Sequence, residues 1–203
     1  MHPFDGRTKP YASGQSGPLY SWIKAPRYGG ESVETGPLAE MVIDGNPLFR
    51  EMIEQNGPSV MARELARLVR PAGLLAPLSI WLDELLTGRE ESFYHPVGTI
   101  PDGEGAGMIQ AARGALGHWV KVEDEKIVHY QIITPSAWNG SPRDGRGGRG
   151  AWEEALIGTP VKDTLNPVEA GHVIRSFDPC LVCAVHCLRK GRKAGFLTIG
   201  MNR

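Results

Sequence analysis

The chain has 203 residues and 22.1 kDa, with 41% hydrophobic residues, enough apolar material to build a core and too much for a disordered chain. Lys plus Arg number 22 against 23 for Asp plus Glu, so a net charge of −1 offers no broad field for nucleic acid or an anionic membrane. The 26 glycines and 16 prolines imply much tightly turned, irregular backbone.

Residues 1–36 are rich in Gly, Pro, Ser and Tyr, show no sustained period, and are expected to be irregular. "NPLFREMIEQNG" predicts a helix with Asn46 as N-cap, Pro47 in the first turn and Asn56-Gly57 as its stop. A second helix is expected in "PSVMARELARLVR", beginning at Pro58, with Met61, Leu65 and Leu68 sharing one face. "PAGLLAPLSIWLDELLTG" is a third helical candidate, apolar on most sides from Leu74 to Leu86, which suggests burial among other helices. All three read as plain core structure. No uninterrupted apolar run approaches the roughly 18–20 residues of a membrane span, so no direct span is expected. The start lacks the apolar stretch of a signal peptide, and the chain reads as made in the cytoplasm.

The period then changes. In "GHWVKVEDEKIVHYQIITP" two alternating runs, 119–122 and 127–133, flank the polar "EDEK", which predicts a β-hairpin ended by Pro135. "SAWNGSPRDGRGGRG" is a Gly and Arg loop without the Gly-Lys-Ser/Thr ending of a P-loop, so a structural or solvated loop is expected. "AWEEALIG" reads as a short helix, and another is expected around 167–175. No repeat or linker divides the chain, which is best treated as one mixed α+β unit.

The three cysteines, Cys180, Cys183 and Cys187, all lie in "DPCLVCAVHC". An odd, crowded set of this kind is no secreted disulfide framework and points to metal or redox chemistry. Asp178 is expected to cap a final helix with Pro179 at its first position. Cys180, Cys183 and His186 would then share one face, with the helix dipole favouring thiolates at its N-terminus. Soft sulfur donors suit zinc, iron or nickel. A closed zinc site wants four ligands and this segment offers fewer, so further ligands must come from elsewhere. Spacing alone leaves a zinc half-site, a redox pair or a buried accident open beside a catalytic metal site.

"DPCLVCAVH" resembles the C-terminal signature of the large, catalytic subunit of nickel-iron hydrogenases. "YSWIKAPRY…ETGPLA", "RGALGHW", "TPSAWNGSPRD" and "EALIGTPV" resemble further blocks of that family in the same order, so the likeness covers most of the chain. The resemblance implies a helix-rich large-subunit-like fold, its C-terminal portion only, with a β-hairpin and long irregular loops. It makes Cys180 a terminal ligand of nickel and Cys183 a bridge between nickel and an iron that carries carbon monoxide and cyanide. Arg113 would hang over the open side of the metals, with Asp178 near it, and Ser136 would hydrogen-bond a cyanide. His186 would ligate a magnesium or similar ion, with a backbone carbonyl close to Ile132 as companion. The implied reaction is reversible heterolytic cleavage of H2. Cys180 would accept the proton, and electrons would leave through an iron–sulfur small subunit.

The family's second cysteine pair, an Arg-x-Cys-x-x-Cys block, is absent from this sequence, as are the glutamate proton relay and the acidic magnesium ligand of the same region. Two thiolates are half of a four-thiolate site, so the chain should be inactive without an N-terminal half supplied as a separate chain. Ala112 stands where the family usually has proline, and Cys187 has no family role. Residues 1–186 form the expected large-subunit portion, and 187–203 a tail removed by a maturation endopeptidase that cuts after His186. Association with a membrane or the periplasm would come through the small subunit. The alternative is a non-catalytic scaffold, assembly or interaction protein on the same fold, and a structural zinc domain is a third reading.

Overall fold

The computed structural model describes residues 2–6, 20–21, 23–88, 92, 94, 96–180, 185–189 and 192–197, the last two runs as backbone alone. Six helices and five strands are described: α1 (Pro37–Ile43), α2 (Pro47–Asn56), α3 (Val60–Thr87), β1 (Gly103–Ala111), β2 (Gly114–Glu123), β3 (Lys126–Ile133), α4 (Pro135–Asn139), α5 (Ala151–Leu156), α6 (Val168–Arg175), β4 (Val185–Arg189) and β5 (Arg192–Leu197). The first three strands form an antiparallel sheet in the order β1-β2-β3, and β4 pairs antiparallel with β5. The mixed α+β expectation is met.

Local signals placed α2 well. Asn46 Oδ1 accepts the Leu48 N–H at 3.1 Å, Pro47 opens the helix, and Gly57 closes it with φ +67°. The expected hairpin is β2–β3. Asp124 and Glu125 both take positive φ, 51° and 59°, the two-residue type I′ geometry whose twist matches the strands. The short helices at 151–156 and 168–175 also form where expected.

Five expectations need correction. Pro58 and Pro71 do not delimit two helices: α3 runs unbroken through Pro71 and Pro77 for 28 residues. Its core face is not the full Met61, Leu65 and Leu68 row, of which only Leu65 packs against the core. Ala62 and Ala66 are fully buried against Leu38 and Phe49, whereas Met61 and Leu68 are 67% and 75% exposed. Small side chains let α3 approach α1 and α2 closely, so packing distance outweighed hydrophobicity. Joined, the two segments also pass the length and composition test for a membrane-crossing helix, which counting uninterrupted apolar runs had missed. The stretch from Leu74 to Leu86 is also not buried as expected: Leu75, Leu78, Ile80, Trp81, Leu82 and Leu85 are all at least half exposed.

The fifth correction concerns the cysteine segment. Asp178 has φ +52° rather than the extended conformation of an N-cap, and neither Pro179 nor Cys180 is helical. Residues 181–184 lie outside those described, and Val185–Arg189, which includes His186 and Cys187, is a strand. The shared helical face and its dipole argument therefore lapse. The chain leaves α6 at Ser176 and turns sharply at Asp178, a residue type that tolerates the left-handed region.

Sequence reading missed α1 and β1. Strand β1 is exposed along nearly its whole length and rich in glycine, so it carries no alternation to detect. It is nevertheless the strand that turns the chain back at Ala112-Arg113 into β2. Two further apolar clusters form elsewhere: Trp119, Ile133 and Ala137 from β2, β3 and α4, and Trp152, Val173, Ile174 and Phe177 from α5, α6 and the turn after it.

Candidate metal centre

Arg113 occupies the two-residue turn between β1 and β2, where Ala111 pairs with Gly114. The next residue, Gly114, has φ +129°, and a Cβ there would lie 2.6 Å from Thr35 Oγ1. Only glycine suits that backbone. Thr35 holds the turn from outside the sheet: its Oγ1 accepts the Ala115 N–H at 2.7 Å. Asn139, at the end of α4, grips the Thr35 backbone at both ends, accepting from its N–H at 2.9 Å and donating to its carbonyl at 2.8 Å. Both residues are buried. This knot ties the turn of Arg113 to the helix of Ser136.

Ser136 lies in the first turn of α4, which Thr134 caps by accepting the Ala137 N–H at 3.2 Å. The Ser136 hydroxyl accepts the Cys180 N–H at 3.3 Å. Asp178, two residues before Cys180, places Oδ2 3.3 Å from Arg113 Nε. Four of the expected site residues, Arg113, Ser136, Asp178 and Cys180, thus converge from three segments. Cys180 is a free, partly buried thiol. Cys183 lies outside the described residues, and of His186 only the backbone is described, so their expected ligand roles stay expectations. Among the described residues no three His, Cys, Asp or Glu side chains gather to hold a metal ion.

Ile132 is found at the end of β3, and its carbonyl accepts from Lys24 Nζ at 2.7 Å. The same ammonium donates to Gln131 Oε1 at 2.7 Å. Burial lowers the Lys24 pKa from its ordinary value, because desolvation disfavours the charged form. Sequence reasoning had quoted the block that holds Lys24 without assigning the residue. The loop 143–149 behaves as the structural reading expected. Asp144 accepts from the Arg146 and Gly148 amides at 2.9 Å each, and Arg27 spans from Asp144 to the Pro142 and Gly148 carbonyls.

The family model described as Nickel-dependent hydrogenase matches residues 1–186. The chain belongs to this family. The large subunit of an uptake hydrogenase from Bradyrhizobium diazoefficiens is 34% identical, over 93% of this chain and 37% of its own length. The large subunit of a periplasmic [NiFeSe] hydrogenase from Desulfomicrobium baculatum is 39% identical, over 88% of this chain and 39% of its own. The reduced Ni-Fe-Se hydrogenase structure from D. vulgaris Hildenborough superposes with a TM-score of 0.75 at 39% identity, over 89% of this chain and 40% of that one. The fold is thus that of hydrogenase large subunits. The chain spans about two-fifths of the length of these relatives.

The donor chemistry of the described residues fits one side of a nickel-iron centre. Cys180 offers a soft sulfur donor, and the Ser136 hydroxyl keeps its own proton free to donate while it accepts from Cys180. Arg113 supplies a cationic donor paired with Asp178, two residues before Cys180.

Proposed function

We propose that this chain is the C-terminal part of a nickel-iron hydrogenase catalytic subunit, active in reversible heterolytic cleavage of H2 once complemented by an N-terminal polypeptide. The observation that carries the reading is the convergence of Arg113, Ser136, Asp178 and Cys180 in a member of the nickel-dependent hydrogenase family. The proposed metal ligands are Cys180 and Cys183, with the other two thiolates from the complementary polypeptide. When bound, the nickel-iron centre, its iron carrying carbon monoxide and cyanide, supplies the metals at which H2 is polarised and cleaved.

The chain's own residues then have distinct tasks. Cys180 Sγ would accept the proton released on cleavage, two residues along the chain from Asp178, which pairs with Arg113. Arg113 presents a permanently charged guanidinium to the open side of the centre, where it stabilises anionic ligands and developing charge. Asp178 engages Arg113 Nε and so orients the rest of the fork. The Ser136 hydroxyl would donate to a cyanide of the bound centre while its oxygen stays engaged with the Cys180 amide. A magnesium or similar ion held by His186 would share the Ile132 carbonyl with Lys24, since that oxygen has two lone pairs.

Two observations support an N-terminal large-subunit portion that completes the site. The sequence holds one cysteine pair where a four-thiolate site needs two. The second half of α3 also leaves Leu75, Leu78, Ile80, Trp81, Leu82 and Leu85 at least half exposed, an apolar face suited to helices of that portion. Electrons would pass to an iron–sulfur small subunit, which would also set membrane or periplasmic location. The family match ends at His186, which supports a maturation endopeptidase releasing residues 187–203.

The test is co-expression with the complementary polypeptide, the small subunit and the maturation machinery, followed by nickel and iron analysis, intact-mass analysis and hydrogen-dependent dye reduction. Bound metal, a chain ending at His186 and dye reduction are expected. An assembled complex without metal would instead assign the chain a scaffold or assembly role.

A further inference from the structure

Helix α3 carries Arg63, Arg67 and Arg70, spaced i, i+4 and i+7, so their side chains rise from one face on successive turns. None is charged surface decoration: their side chains are 5%, 30% and 16% exposed. Each reaches a different segment. Arg63 makes a two-pronged pair with Glu34, both contacts 2.8 Å, and lies 3.8 Å over the Phe177 ring. Arg67 Nη2 donates to the Ser176 carbonyl at 2.8 Å. Arg70 Nη1 lies 3.3 Å from the carbonyls of both Ala111 and Ala112, while its Nε forms an ion pair with Glu40 at 2.9 Å.

These are the segments that carry the site. Ala111 and Ala112 run directly into Arg113, and Ser176 and Phe177 run directly into Asp178. Glu34 precedes Thr35, whose hydroxyl holds the Ala115 amide. Glu34, Thr35, Arg63, Arg67, Ser176 and Phe177 together enclose only a water-sized cavity, so the ladder is packed and not loosely draped.

The Arg113–Asp178 pair needs such support. Its side chains are 46% and 38% exposed, and an exposed ion pair gains too little to impose a geometry on two separate backbone turns. We infer that Arg67 and Arg70 are positioning residues: from one rigid helix they hold the backbone before Asp178 and before Arg113, and thereby set the register of the pair, with Arg63 anchoring the same face to Glu34. The inference rests on the reading of that pair as part of the metal site. Charge-assisted bonds from guanidinium to carbonyl are directional, so they fix where each turn sits, which apolar packing at the same positions would not.

The test uses the full chain and reads the rate at which phenylglyoxal modifies each arginine, resolved by peptide mass spectrometry. Asp178→Asn calibrates the assay by freeing Arg113. Arg67→Gln and Arg70→Gln are each expected to raise the Arg113 rate about tenfold, the size expected for losing a bond from a charged donor. Arg70→Lys, which retains a cationic donor, should return the rate toward wild type, and Arg63 should stay protected throughout. An Arg113 rate that stays at the wild-type value in both glutamine variants overturns the inference, as does an unchanged rate in Asp178→Asn. Should Arg70→Gln expose Arg63 as well, and so report lost fold, Arg67→Gln and Arg70→Lys decide by the same criterion. The measurement needs no metal, so it is separate from the metal analysis that tests the functional reading.

Discussion

Arg113 Nε stands 3.3 Å from Asp178 Oδ2, which joins the β1–β2 turn to the turn that follows α6 and leads into Cys180. The pair is more than a third exposed on both sides, so its value lies in orienting the Arg113 guanidinium and little in stability.

In the assembled complex, Arg113→Met should therefore lower hydrogen-dependent dye reduction by roughly 10²–10³-fold, the scale for loss of one aimed electrostatic donor. Asp178→Asn should lower it less, because the guanidinium remains but is no longer oriented. Urea titration of the Asp178→Asn chain should show a stability change of no more than about 1 kcal/mol. A large loss of stability in that variant would make the pair structural.

Gly114→Ala should destabilise the chain by about 2–4 kcal/mol, since backbone strain alone costs about 1–3 and a steric clash is added. The clash is specific: the new Cβ would meet Thr35 Oγ1 at 2.6 Å and the Gly36 nitrogen at 2.7 Å. Thr35→Ser, which removes the Cγ2 but keeps the hydroxyl, should not rescue it. Chemical denaturation of the single and double variants measures both points.

Asn139→Ala should cost about 2–6 kcal/mol, because it leaves the buried N–H and carbonyl of Thr35 without partners at about 1–3 kcal/mol each. Asn139 is 2% exposed, so water cannot replace the lost groups cheaply. Hydrogen exchange should show the loss first at the Ala115 amide, which Thr35 Oγ1 holds.

The 143–149 loop should keep its order down to acidic pH. Backbone hydrogen bonds from Gly148 and then Arg146, with the side-chain hydrogen bond and charge of Arg27, hold the Asp144 carboxyl below its ordinary value of 3.8. A carboxyl with a depressed folded pKa binds fewer protons folded than unfolded, so its contribution is full above the unfolded value and fades as pH falls through the folded one. Amide exchange at Gly148 should thus be independent of Asp144 titration above about pH 5 and accelerate only in strong acid. In Asp144→Asn the acid-dependent step should vanish.

Trp81→Glu together with Leu82→Glu on α3 should abolish co-purification with the N-terminal polypeptide, since both side chains are at least half exposed on the apolar face. The chain's own cores should survive, as neither residue packs in them. Far-UV circular dichroism of the variant, unchanged from wild type, would confirm that separation.

Local chemistry was legible without any structure. Asn46-Pro47 and Asn56-Gly57 mark the ends of α2 because a cap acts on amides within three or four residues of itself. The alternation on either side of Asp124-Glu125 marked the β2–β3 hairpin for the same reason: pleat and turn are short-range. The cysteine pair and the ordered blocks from Tyr20 to His186 told which family the chain would join.

What lay beyond the sequence was every relationship set by distance in space. No local signal says that Ala62 and Ala66, and not Met61 and Leu68, face the core, because that depends on how closely α1 and α2 approach. The glycine-rich β1 is a strand only because β2 offers it partners along its length. The residues after Asp178 looked like a capped helix, yet the chain turns through a left-handed residue there and continues in part as strand. The meeting of Arg113, Ser136, Asp178 and Cys180, and the arginines of α3 behind it, likewise required the folded chain. Sequence determines which donors exist, whereas the free energy of packing three separate segments against one helix decides which of them share a site.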